Sequence, residues 1–472
     1  MTDSATLSPR RKMLILLTCC LSLFIVGLDS NVVNVALPTM GRDLDAQVSG
    51  LQWVIDAYTV VLASLLMLGG STGDRFGRRK IFQIGLGVFV SASILCALAP
   101  TLSWLIIFRM MQAVGGSMLN PVAMSIITNV FTGGAERARA IGVWGGVVGL
   151  SQAFGPLIGG ALTDSVGWRA IFWVNVPVGV AAIALTALLV PNSRSEHPRR
   201  FDPIGQLLVI IFLGALTYGI IEAPVAGWTS TRTLIVLGLS AAALVALLLY
   251  EPRRHDPLIE IGFFASAPFS GATMIAICSF AGVSSFMFFN VLYLQNLRGL
   301  SPFEAGLYSL PMAVVTAVLA PLSGRLVGSR GPRPSLIIAG IALTTAGFLL
   351  TRFRPDTELW QIFLTYVIFG IGFGMVNAPI TNTAVSGMPR ARAGVAAATA
   401  STSRQVGVTL GVAIAGTLVV TTAAHGPIPT DAGWVMIIVA GALVLALGVI
   451  TTSRWARATA ARTANRLGDA NQ

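Results

Sequence analysis

The chain has 472 residues, 54% hydrophobic and only 11% charged, with a formal net charge of +12 and a pI near 10.5. Soluble domains carry about 25% charged residues, so this composition excludes an ordinary soluble enzyme or binding module. The basic residues are dispersed along the chain rather than clustered, which excludes a nucleic-acid surface.

Charged or Gly/Pro-rich breaks divide the chain into apolar segments, each near the ~20 residues that a bilayer-spanning helix needs. They run over 13–35, 50–71, 81–99, 104–128, 139–162, 169–191, 204–222, 233–250, 268–294, 304–324, 335–351, 359–384, 393–421 and 433–453. The first is too long for the apolar part of a cleaved leader and lacks a small-residue cleavage site, so it reads as a retained helix. Fourteen spans put both termini on one side. With that side cytoplasmic, 23 of the 31 basic residues fall in cytoplasmic segments, six fall outside, and Arg109 and Arg404 lie within helices. The basic excess is thus a topological signal. Lysine occurs only at Lys12 and Lys80, a bias towards arginine that fits a GC-rich, bacterial genome.

The loops are too short for a soluble catalytic or nucleotide-binding domain, and GxxxxGK[ST], HExxH, CxxC and GxSxG are absent. The expectation is a protein that is not an enzyme, with no cofactor and no metal. Cys19, Cys20, Cys96 and Cys278 all lie in apolar segments and read as small packing residues. PNSRSEHPRRFDP and EPRRHDPLIEIG read as linkers.

Four charges lie well inside spans: Asp29, Asp56, Arg109 and Arg404. Such residues are costly in hydrocarbon and mark functional sites by default. Counted from the ends of their apolar segments at 1.5 Å per residue, Asp29, Asp56 and Arg109 all sit roughly 8–9 Å below the outer face. Gln52, Asp56, Thr59 and Ala63 form one stripe of the second helix, and Arg109, Gln112, Gly116 and Asn120 one of the fourth. Asn31 and Asn34 point away from Asp29, so the first helix is polar on two faces. One reading is a static ion pair that holds helices together. The other is proton coupling: two aspartates share one arginine, which leaves a carboxylate uncompensated and able to take up and release a proton.

After the second helix comes GSTGDRFGRRK, where Gly73 and Gly77 suit a tight turn and Asp74 can cap a helix or meet a basic partner. GRLVGSRGPRP repeats its spacing: Gly70 and Gly77 correspond to Gly324 and Gly331, while Asp74 corresponds to Gly328. This indicates an internal repeat. The fifth helix, GVWGGVVGLSQAFGPLIGGALTD, offers Gly155, Gly159 and Gly160 for close helix approach and Pro156 for a kink. Ordinary packing and a hinge or seal between halves are both open.

Together these stretches resemble the major facilitator superfamily, specifically its 14-helix drug:proton antiporter branch, over essentially the whole chain. LDSNVVNVALP resembles the first-helix signature, with Asp29 at the acidic position. GSTGDRFGRRK resembles the hallmark loop at Gly70, Asp74, Gly77 and Arg78, and RMMQAVGGSMLNP the fourth-helix motif, whose arginine is Arg109. GLSQAFGPLIGG resembles the antiporter motif of exporters; Ser151 stands where glycine is usual, and the GPxxGG core is intact.

The resemblance implies an all-α major facilitator fold of two six-helix bundles plus two extra transmembrane helices. The expected division is a cytoplasmic tail 1–12, a first bundle 13–191, a linker with the extra pair 192–267, a second bundle 268–453 and a cytoplasmic tail 454–472. It also implies alternating access in the plasma membrane, driven by the proton gradient. Asp29, Asp56 and Arg109 are the expected proton-coupling residues, and Gly70, Asp74, Gly77, Arg78, Gly155, Pro156, Gly159 and Gly160 the gating residues. Candidate substrate contacts are Asp29, Gln52, Gln112, Asn120, Phe286, Asn290, Tyr293, Asn377 and Arg404. Met110, Met111 and Met118 could add adaptable apolar contacts. The expected partners are small hydrophobic or cationic molecules and the lipid bilayer, with no nucleic acid, and the protein is expected to be a monomer. The leading expectation is drug export; a dedicated exporter of one metabolite or antibiotic and a lipid exporter are the alternatives. An importer is disfavoured by the fifth-helix motif.

Overall fold

The computed structural model describes residues 7–194, 201–254, 256–386, 393–422 and 431–469. Parts of both expected linkers, 195–200 and His255, lie outside these, as do the first six and last three residues. Within the described residues the chain is helical, with no strand. The helices are α1 (Pro9–Asp43), α2 (Val48–Phe76), α3 (Arg78–Ala97), α4 (Leu102–Val130), α5 (Gly134–Ser165), α6 (Ala170–Trp173), α7 (Asn175–Leu189), α8 (Pro203–Ala226), α9 (Thr231–Tyr250), α10 (Ala267–Val291), α11 (Pro302–Arg330), α12 (Pro332–Leu350), α13 (Leu359–Val385), α14 (Ala393–Thr422), α15 (Asp431–Thr451) and α16 (Arg454–Asp469).

Each of the fourteen apolar segments falls on a helix, and among the described residues thirteen helical stretches are long and apolar enough to cross a bilayer. The remaining segment lies in α5, whose 32 residues are also long enough to span. The sixth segment is divided between α6 and α7 around Val174. Pro177 has no N–H to give the carbonyl of Trp173, which removes one rung of the helical ladder there. Several helices outrun their apolar segments. Ser8 caps α1 by accepting from the Arg11 N–H, and the helix continues past Val35 to Asp43. There the Asp43 carboxylate takes the Arg169 Nη1 at 2.6 Å and the Trp168 Nε1 at 2.8 Å.

Two compact units are present. One comprises residues up to Gln206 together with Ser301–Leu307; the other comprises Leu207–Leu300 and Tyr308 onward. In the first, glycines allow backbones to approach. A Cβ on Gly69 would lie 2.4 Å from the Ser117 carbonyl oxygen, and one on Gly115 would lie 2.5 Å from the Phe89 nitrogen, so α2, α3 and α4 meet almost backbone to backbone. The turns that follow α2 and α11 each contain a glycine with positive φ, Gly77 at +105° and Gly331 at +79°, at the equivalent positions of the repeated loop.

Candidate functional site

The first unit contains a closed polar cluster built from five helices. Arg109 of α4 and Asp29 of α1 are each 1% exposed, and Arg109 Nη1 donates to Asp29 Oδ2 at 2.5 Å. The other carboxylate oxygen, Oδ1, accepts from Gln112 Nε2 at 2.9 Å and from Asn175 Nδ2 of α7 at 2.8 Å. Gln112 Oε1 in turn accepts from Arg109 Nη1 at 2.6 Å, and Gln112 Nε2 also donates to Ser93 Oγ of α3 at 2.8 Å. On α2, the Val54 carbonyl accepts from Arg109 Nε at 3.2 Å, and the Tyr58 ring lies 4.1 Å from the guanidinium. A salt bridge this buried holds only when its spare donors and acceptors are satisfied, and here both carboxylate oxygens are.

The α4 stripe explains half of this geometry. Arg109 and Gln112 are three residues apart, so both side chains reach the same face and grip the two oxygens of one carboxylate. Gly116, one turn on, leaves room for Tyr58: a Cβ there would lie 3.1 Å from the phenolic oxygen.

Asp56 stands apart from this cluster. It is fully buried, its Oδ1 receives only a long bond from Thr59 Oγ1 at 3.4 Å, and its Oδ2 has no hydrogen-bond partner among the described residues. Arg109 therefore serves one aspartate and not two. The other stripe members, Gln52, Thr59 and Ala63, are buried as well. Asn120, two turns beyond Gln112 on α4, has a buried Oδ1 that lacks a partner among the described residues.

The remaining residues of the first helix do different work. A Cβ on Gly155 would lie 2.4 Å from the Asn31 Cβ, and one on Gly159 would lie 3.0 Å from the Val32 Cα, so the glycine face of α5 lies on the side of α1 opposite the cluster. Asn31 and Asn34 return their amides to the Gly27 and Ser30 carbonyls at 2.6 and 2.9 Å. Further along α5, a Cβ on Gly160 would lie 2.4 Å from the Pro302 carbonyl oxygen, and the Pro156 carbonyl lies 2.5 Å from where one on Gly306 would stand. In the α2–α3 loop, Arg78 Nη2 binds Asp74 Oδ1 at 2.9 Å and the Arg78 N–H donates to the Ser193 carbonyl. A Cβ on Gly70 would lie 3.2 Å from that of Pro121.

In the second unit, Phe286 stacks on Phe369 with centroids 4.1 Å apart, and Asn290 accepts from the Tyr366 hydroxyl. The Tyr293 hydroxyl donates to the Arg354 carbonyl at 2.8 Å. These three side chains are buried in packing against α13 and the turn after α12. Arg404 of α14 is half-buried and bonds Asn377, Thr381 and Ser401. On α4, Met110 and Met111 are exposed, whereas Met118 packs against the buried core.

Ser93 and Asn175 are the members of the cluster that sequence reasoning missed. Asn175 is the sole amide in the sixth apolar segment, a signal that could have marked it; Ser93 carries none, since serine is common in membrane helices.

A model of the Major Facilitator Superfamily matches residues 19–412. The chain is 34% identical over 409 residues to the multidrug resistance protein Stp of Mycobacterium tuberculosis, covering 87% of this chain and 76% of that protein. It is 35% identical over 405 residues to the tetracenomycin C resistance and export protein of Streptomyces glaucescens, covering 85% and 75%. With the puromycin resistance protein pur8 of Streptomyces alboniger it shares 37% identity over 401 residues, covering 84% and 79%. Among solved structures, a D-xylose–proton symporter superposes with a TM-score of 0.67 at 15% identity over 93% of this chain and 97% of that one, which is a likeness of fold.

Proposed function

Because the chain belongs to the major facilitator superfamily, we propose that it exports hydrophobic, often cationic compounds across the bacterial plasma membrane in exchange for protons, by alternating access. The relatives named for multidrug resistance and antibiotic export support the direction and the substrate class. The basic-residue asymmetry supports two cytoplasmic termini.

One observation carries the coupling assignment: a span of the first unit holds a fully buried aspartate, Asp56, with an unsatisfied oxygen, and another span holds a second, Asp29, neutralised by Arg109. A buried carboxylate without a cation is favourable only when it carries a proton or faces a cationic substrate. Asp56 is then the group that exchanges a proton or cation, and the Asp29–Arg109 pair is the element that rearranges when Asp56 changes charge. Each elementary charge carried inward gains about 2.3 kcal/mol per 100 mV of membrane potential, enough to drive export uphill.

Inverted membrane vesicles test this directly. A proton gradient should drive uptake of a fluorescent cation, and adding that cation should dissipate the gradient. Uptake that requires ATP hydrolysis and ignores the gradient sinks the proposal. Relatives named for resistance to single antibiotics favour a second reading, export of one compound. A resistance panel in a pump-deleted host separates the two, since broad protection supports multidrug export and protection against one compound supports the narrow reading.

A further inference from the structure

Both acids of the proposed coupling site are on the first unit. The second unit carries a charge of the opposite sign. Arg404 sits on α14 roughly 14 Å from the start of the apolar stretch Val395–Thr421, about a third of the way along it. Its Nη1 donates to Asn377 Oδ1 at 2.9 Å and to Thr381 Oγ1 at 3.1 Å, and its Nη2 donates to Ser401 Oγ at 3.0 Å.

All three acceptors are neutral, so they orient the guanidinium without cancelling its charge. Among the described residues the ion pairs are Lys12–Glu136, Arg78–Asp74, Arg109–Asp29 and Arg169–Asp43; Arg404 has no carboxylate partner. Three bonds also use three of the five N–H donors of a guanidinium, leaving Nε–H and one further N–H. Arg109 is the contrast within the same chain: 1% exposed, bonded through Nε and Nη1, and neutralised by Asp29. Arg404 is half-buried, in a setting where an uncompensated charge is costly. A braced, half-buried arginine with spare donors on its fork matches an anionic oxygen, which accepts two parallel N–H bonds.

We propose that Arg404, held in place by Asn377, Thr381 and Ser401, is an anion subsite that receives a carboxylate or phenolate oxygen of the exported molecule, so that acidic and zwitterionic amphiphiles are substrates alongside cations. This rests on the export reading above. A lysine at the same position keeps the charge but loses the planar fork and its bracing bonds. The shared chemistry of a lipid phosphate is separated by the test.

The test uses two rhodamine dyes that differ only in a free carboxylate or its ethyl ester, in inverted vesicles energised with a proton gradient. The readout is the ratio of acid to ester uptake, which does not depend on how much protein is folded. In Arg404→Gln the ratio should fall about tenfold, as expected for one lost charge-assisted contact; in Arg404→Lys it should fall to an intermediate value. An unchanged ratio in Arg404→Gln overturns the subsite, as does an equal loss of both dyes, which would mark a structural role. The same measurement in vesicles with and without anionic lipid gives the last arm. If Arg404→Gln alters only the dependence on anionic lipid, the occupant is a headgroup and the proposal fails. If the unmodified protein carries the ester but not the acid, export stands and the subsite does not. If it carries neither dye, the export reading fails and the subsite with it.

Discussion

Asn175 donates its Nδ2 to Asp29 Oδ1 at 2.8 Å, across 146 positions of sequence. That bond ties α7 to α1 and completes a ring of three donors on one carboxylate, with Gln112 and Arg109 supplying the other two. The amides supply directed bonds without charge, so Asp29 retains a single ion-pair partner.

Removing one amide should therefore weaken transport without abolishing the pair. A hydrogen bond to a charged group contributes about 1.5–3 kcal/mol. Asn175→Leu and Gln112→Leu are each expected to slow gradient-driven uptake of a fluorescent cation about tenfold or more, and the double variant to lose less than the product of the two, because both act on Asp29 Oδ1. Uptake unaffected by Asn175→Leu would mean that the bond is dispensable.

The two aspartates should respond differently to neutralisation. Asp29→Asn strands the buried Arg109 charge and should cost about 3–5 kcal/mol of stability, read as a lower melting temperature in detergent. Asp56→Asn strands nothing, since no cation bonds Asp56 among the described residues, so its melting temperature should hold while proton-driven uptake is lost. Asp29→Asn combined with Arg109→Gln should regain much of the stability lost by the single variant, because neither member of the pair is then left as an unpaired charge. Equal melting losses in Asp29→Asn and Asp56→Asn would contradict the asymmetry.

The α1–α5 contact predicts a sharp contrast among glycines of one helix. Gly155→Ala places a Cβ 2.4 Å from that of Asn31, which the helices can relieve only by separating. Overpacking of this kind costs about 1–3 kcal/mol, and both thermal stability and transport should fall. A Cβ on Gly142 or Gly146 would meet none of the described atoms within 4 Å, so alanine there should be tolerated or, by its helix propensity, stabilising by up to ~1 kcal/mol. Thermal melting of the three single variants, side by side, settles the comparison.

The repeated loop predicts a graded pair. Gly77 and Gly331 both hold positive φ, where an L side chain is strained by about 1–3 kcal/mol. A Cβ at Gly77 would also lie 3.0 Å from Asn192 Oδ1, whereas none of the described atoms lies within 4 Å at Gly331. Gly77→Ala should thus lower the melting temperature more than Gly331→Ala. The reverse order would show that contacts other than the one to Asn192 dominate this turn.

The positions of the spans were legible in the sequence because hydrocarbon imposes a length and a polarity that each segment must meet by itself. The costly side chains were legible for the same reason: a charge such as Asp29 or Arg109 is conspicuous wherever its surroundings are apolar, and the 3.6-residue period places Gln112 beside Arg109 on α4. Periodicity also separated Asn31, which faces Gly155, from Asp29. Which acid meets the arginine is a different kind of fact. Asp29 and Asp56 share one estimated depth and were equivalent candidates, and only helix packing decided that Asp29 takes Arg109 while Asp56 keeps an oxygen unpaired. The same packing recruited Asn175 and Ser93 from α7 and α3 and directed Phe286 and Tyr293 into the interior of the second unit. Periodicity gives the face of one helix, whereas the identity of the neighbour on that face depends on close contacts, such as those at Gly69 and Gly115, between residues far apart in the chain.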